Sequence, residues 1–238
     1  ISRIGTNGSP FAAYRSPTDM GVNMAKEGIV DDAVVREAAK QEIIRRYFRY
    51  HWEFKRGIES KDTVEISEKL LRKIGAKVTD RPAVPAARAA AEKAKESGKG
   101  HRGIYCGAAI ALPSGEMVIG MNTPLLHAES AVILHALKKL AQIPDQIDLL
   151  PESIISSIAL LKKDVLGGRA ASLNVEEVLI ALSMSAATNP TSAYCIKAVK
   201  ELAGCDMHTT HMIGQGDENG LRKLKLSLTT DALPTSRS

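Results

Sequence analysis

Aromatic residues are scarce: Phe, Trp and Tyr make up 4% of the 238 residues. A broad base-stacking surface needs several exposed rings, so that design is excluded. Cysteine is scarcer still, with Cys106, Cys195 and Cys205 forming an odd set. Such a set does not make a disulfide framework, and a reducing, cytoplasmic setting is the expectation. No apolar run approaches the roughly 18 residues of a membrane-spanning helix, so no membrane partner is expected. No charged start leads into an apolar run in the manner of a secretory signal. The fingerprints G-x-x-x-x-G-K, G-x-G-x-x-G and G-x-S-x-G are missing, and no cofactor is expected from the sequence.

What is present is a globular balance. Hydrophobic residues make up 44% and charged residues 25%, which excludes a wholly disordered chain. The 32 Lys+Arg against 27 Asp+Glu leave a formal net charge of +5. Its nearest concentration, Arg36 to Arg56, is interleaved with Glu37, Glu42 and Glu53, as on a solvated helix face. Nucleic acid is therefore not expected as a partner.

Ile1 to Pro17 is rich in Gly, Ser, Pro and Asn and reads as a linker or surface loop, as where a longer chain has been cut. Residues 31–57 then read as one long helix, with Val34, Val35, Ala38, Ala39, Ile43, Tyr47, Tyr50 and Phe54 as its apolar stripe. Further helices are expected over about 61–74 and 86–96. Ser97 to Gly103 holds three glycines and marks the best internal boundary.

Beyond it the pattern changes. Two short apolar runs, 104–112 and 116–121, flank Pro113-Ser114-Gly115 and read as a hairpin. Helices are expected over 125–141, 151–165, 175–187 and from Pro190 to near Gly204. Strands are expected over 146–150, 205–213 and 225–230, with a short helix over 219–224. Helices alternating with strands imply a layered α/β sheet.

The sharpest chemical signal is His127-Ala128-Glu129 at a helix start just after the hairpin. H-x-E in this place is half of the signature of zinc nucleobase deaminases, where the His binds zinc and the Glu shuttles protons. The other half, P-C-x-x-C, is absent. The helix starts at Pro151 and Pro190 put Glu152 and Ile155, or Thr191 and Tyr194, where thiolates are needed. Cys195 falls one residue late, which turns it roughly 100° around the helix. One His without correctly spaced thiolates lacks ligands, so no metal is assigned. His208 and His211, three apart in a strand, point to opposite faces and read as structural histidines.

Two stretches hold more small polar groups than plain linkers need. Ser16, Thr18, Asp19 and Asn23 form one; Ser185, Thr188, Asn189 and Thr191 form the other. At a helix start such groups can hold a phosphate or carboxylate, or simply cap the helix.

The strings Ser16 to Met24, Lys40 to Tyr47 and Glu177 to Thr191 (EVLIALSMSAATNPT) resemble a bacterial family described as domain of unknown function eighteen-forty-six. The resemblance covers nearly the whole chain. It implies that this chain is the C-terminal half of a longer protein. The absent N-terminal half, bearing a glycine-rich, Lys-containing loop that looks phosphate-binding, would be its partner. The family resembles small-residue sequences where this chain has His127-Ala128-Glu129-Ser130, which weighs against His127 and Glu129 as a family-wide catalytic pair.

The expected architecture is a helical region, 1–98, followed by a three-layer α/β domain, 99–238, of cytidine-deaminase-like topology. The leading functional expectation is a non-zinc, ligand- or nucleotide-associated domain. Its pocket would combine Ser16, Thr18, Asp19 and Asn23 with the start of the His127 helix and with Ser185, Thr188, Asn189 and Thr191. The first alternative is a metal-dependent hydrolase or deaminase using His127 and Glu129. The second is a homo-oligomer assembly module built on the long helix and the hairpin edge.

Overall fold

The computed structural model describes residues 32–168 and 171–234. Ser16, Thr18, Asp19 and Asn23 lie outside them. The described residues form α1 (Asp32–Lys55), α2 (Lys61–Lys73), α3 (Ala83–Glu96), β1 (Gly107–Ala111), β2 (Met117–Met121), α4 (Ala128–Leu140), α5 (Glu152–Leu160), α6 (Val175–Ala186), α7 (Pro190–Ala198), β3 (Asp206–His211), α8 (Gln215–Lys223) and β4 (Ser227–Leu233). Among them no helix is long and apolar enough to cross a membrane.

The four strands make one mixed sheet in the order β2-β1-β3-β4. β1 is antiparallel to both β2 and β3, and β3 is parallel to β4. β2, β3 and β4 therefore run the same way and end at the same edge. α4 follows β2 and α8 follows β3, so both helices begin at that edge.

Helices cover both faces, as the composition of β1 requires. Its sequence GAAIA is small and almost wholly buried, the pattern of a strand without a solvent face. Ala109 packs with Ala83 and Ala87 of α3. Ala108 and Ile110 join the main core with Val132, Ile133 and Leu137 of α4. Gly120 lets α4 lie against β2: a Cβ there would stand 2.6 Å from the Ala128 carbonyl oxygen. α1 covers β4 and packs on α2.

Three expectations are corrected. α4 begins at Ala128, after a Thr123 turn in which the hydroxyl accepts the N–H groups of Leu125 (3.2 Å) and Leu126 (3.0 Å). The segment 146–150 is not a strand. Leu149 and Leu150 are buried, but the Leu149 carbonyl accepts the hydroxyls of Ser185 (2.8 Å) and Ser192 (2.7 Å) instead of a strand ladder. α8 begins at Gln215, four residues earlier than its sequence suggests.

Candidate functional site

Three helix starts meet at the carboxyl edge of the sheet. The His127 N–H donates to the Leu173 carbonyl (3.0 Å), and Leu126 and Leu173 form a parallel bridge, which ties the start of α4 to that of α6. Asn174 caps α6 by accepting the Glu177 N–H at 3.0 Å. α8 closes the group, because Gly216 and Gly220 let it press on Asn174 and Val175. A Cβ at Gly220 would stand 2.6 Å from Val175 Cγ1.

This convergence brings His127, Glu129 and Asp217 together, with one ligand-capable atom from each within 4.8 Å of the others. Asp217 is buried and fully engaged: Oδ2 lies 2.7 Å from His127 Nδ1 and Oδ1 accepts the Val175 N–H at 2.9 Å. Glu129 is buried and accepts the hydroxyl hydrogen of Thr209, from β3. The His127 side chain is 33% exposed, the least buried of the three.

The electrostatics follow from this packing. Burial, then the charge of Asp217, pushes the Glu129 carboxyl up to about 7, against the Thr209 hydrogen bond and the pull of His127. Burial alone would lower the His127 imidazole. The hydrogen bond and charge of Asp217, with Glu129, outweigh it, so the imidazole titrates above its ordinary value. The site thus holds an imidazole biased toward its charged form beside a Glu129 carboxyl that is part protonated near neutral pH. That sets an acid and a base side by side.

The donor set also bears on metals. A zinc site of the deaminase type takes one imidazole and two thiolates. The nearby sulfur is Cys106, whose thiol burial and the two carboxylates push up to about 12. The set His127, Glu129 and Asp217 suits a harder divalent ion, which would acidify a bound water.

The second polar stretch is not part of this site. α4 and α6 start together, and Thr188–Thr191 follows the other end of α6, twelve residues or about 18 Å along the helix. Ser185 and Ser192 are buried and bonded to each other (3.1 Å) and to Leu149. Asn189 caps α7 by accepting the Thr191 (2.9 Å) and Ser192 (3.4 Å) N–H groups. Thr188 is exposed, its N–H bonded to the Ser185 carbonyl at 3.1 Å. The structure thus unites His127 and Glu129 and leaves Ser185, Thr188, Asn189 and Thr191 at a helix junction.

Asp217 is the residue that sequence reasoning missed. Its signal is an acidic pair, Asp217-Glu218, just after a strand and a Gly-x-Gly turn, which is first-turn chemistry for a helix. His208 also faces another partner set, with Nδ1 2.9 Å from Thr229 Oγ1 and Nε2 3.4 Å from Asp231 Oδ2.

Fold and site together define a mixed α/β domain with a buried acid–base cluster at the carboxyl edge of its sheet. The chain belongs to the family described as domain of unknown function DUF1846: residues 68–237 match its C-terminal region. Residues 4–75 match its N-terminal region, so the chain reaches into both regions and is not the C-terminal one alone. It is 39% identical over 220 residues to a UPF0371 protein of Clostridium tetani, covering 92% of this chain and 44% of that protein. Similar proteins occur in Fusobacterium nucleatum (39% over 221 residues) and Clostridium botulinum (41% over 221 residues), each with 92% of this chain and 44% of the relative covered. The chain thus spans less than half the length of these relatives.

Proposed function

We propose that this domain performs acid–base catalysis of a hydrolytic step on a small polar substrate. Glu129 takes a proton from the attacking water and passes it to the leaving group. The His127 imidazolium, oriented by Asp217, donates to the negative charge that develops on the substrate. The observation that carries this reading is the meeting of all three side chains within 4.8 Å at converging helix starts. A carboxyl poised near neutrality can both accept and return the proton.

A cytidine-deaminase-like topology is supported by the strand order, with β1 antiparallel to its neighbours, and by the position of His127-Ala128-Glu129 after β2. The helix after β3 supplies Asp217 to the same cluster. The cysteines are all unpaired and buried, which supports a reducing, cytoplasmic setting.

The test is a panel of nucleosides, nucleotides, amides and esters offered to the full-length protein and its Glu129→Gln variant, with release of ammonia or acid followed. Turnover that Glu129→Gln abolishes supports the reading. Turnover that survives the substitution, or none across the panel, contradicts it.

A second reading, assembly with another copy, is favoured by Leu160, Val165, Leu166, Ile180 and Met184, each 56–72% exposed on α5, the turn after it and α6. Light scattering tests it, and a monomer at micromolar concentration contradicts it.

A further inference from the structure

The sheet ends on β4, whose outer side meets no strand among the described residues. The Ser227 N–H donates to the Cys205 carbonyl and the Gly204 N–H to the Lys225 carbonyl, both at 2.9 Å. Odd-numbered residues of this stretch therefore turn their main-chain groups toward β3. Neighbouring residues alternate, so the N–H and C=O groups of Leu228 and Thr230 turn outward.

That edge is the floor of a groove of about 390 Å³ between α1 and α8, lined by five consecutive residues, Leu226 to Thr230. Side chains alternate between the faces of a sheet, so such a run shares one groove only where the strand presents its edge. Arg45, Arg46 and Arg49 stand on the α1 side and Arg222 on the α8 side. Two glutamates, Glu42 and Glu218, also line it, and both are spoken for. Glu42 pairs with Arg45 and Arg46, and Glu218 with Arg222 (3.3 Å) and Arg56 (3.6 Å). Arg49 lies 3.9 Å from Glu53, and the lining itself carries four arginines against two glutamates, a positive excess. Trp52, also in its lining, keeps its indole N–H buried without an acceptor.

We propose that this groove binds an extended acidic polypeptide segment, which adds to β4 as a further strand. Its main chain pairs with Leu228 and Thr230, and its carboxylates meet the arginine walls. Exposed edges invite strand addition, and charged walls select who may pair. Five lining residues accommodate about 17 Å of extended chain.

The experiment is fluorescence anisotropy of the whole chain with a labelled (Glu-Val)4 peptide. The controls are (Lys-Val)4 and a (Glu-Val)4 peptide N-methylated on alternate residues, which keeps the charge and removes the strand-pairing hydrogens. Binding of (Glu-Val)4 is expected, at least tenfold weaker for both controls and for the Arg49→Glu/Arg222→Glu variant, whose folding is checked by its melting curve. Three results overturn the proposal. One is no binding at millimolar peptide. Another is equal binding of the N-methylated peptide with full displacement by 10 mM inorganic phosphate, which marks an anion site. The third is an edge-to-edge dimer by light scattering that excludes the peptide.

Discussion

Asp217 Oδ2 lies 2.7 Å from His127 Nδ1 across 90 residues of sequence. The pair exists because two helices that follow parallel strands begin at the same edge. His127 stands at the N-cap of α4, and Asp217 lies in the first turn of α8, where the helix dipole favours a carboxylate. Burial raises the Glu129 carboxyl, and the Asp217 charge raises it further.

Replacing Glu129 by Gln changes the pH dependence of stability. The Glu129 carboxyl titrates at about 7 in the fold, above its ordinary 4.5, so the folded state binds the extra proton. Its contribution is fully present below about pH 4.5 and is lost as pH rises through 7, about 3 kcal/mol in all. Glu129→Gln keeps an acceptor for Thr209 and removes this loss. Denaturation curves at pH 5 and pH 8 are expected to show the variant gaining on the wild type only at the higher pH.

Gly220→Val separates packing from chemistry. The added Cβ meets Val175 and drives α8 away from the start of α6, at a cost of about 1–3 kcal/mol. Asp217 moves with α8, so the Glu129 pKa is expected to fall toward the ordinary range. Thermal melts and a carboxyl titration check the two effects.

Ser192→Ala tests the helix junction. The hydroxyl ties α7 to the Leu149 carbonyl and to Ser185, both buried. Its removal costs about 1 kcal/mol and leaves the Glu129 titration unchanged, which denaturant melts and NMR read separately.

Asp231→Asn tests the opposite face. Arg88 donates two hydrogen bonds to Asp231, at 2.9 and 2.6 Å. Burial opposes ionisation there, but Arg88 and His208 hold the carboxyl down at about 2. A lowered carboxylate contributes stability above its ordinary pKa of 3.8 that disappears as pH falls through 2, about 2 kcal/mol. The variant is expected to lose that much at pH 7 and almost nothing near pH 2, by urea denaturation.

The hairpin and most helices were legible because their apolar periodicity and caps are local. Pro113-Ser114-Gly115 and Asn174 carry their structure in a few residues. The buried face of α1 was only partly legible: Ile44 and Phe48 form its core, beside the Ile43 and Tyr47 of the expected stripe. His127 and Glu129 were legible as a motif. Asp217 was not, because Gly214-Gln215-Gly216 looks like loop and α8 has little apolar pattern. Its glycines serve contact with α6, a relation that sequence distance hides. The 146–150 segment misled for the related reason that Leu149 is buried by hydroxyls 36 and 43 residues away, not by a neighbouring strand.

The most direct measurement is the carbon-13 NMR titration of the Glu129 carboxyl in the wild type and in Asp217→Asn. The account predicts a wild-type midpoint at about 7 that drops when the Asp217 charge is removed. A midpoint near 4.5 that ignores Asp217→Asn would show that no acid–base cluster exists at this edge.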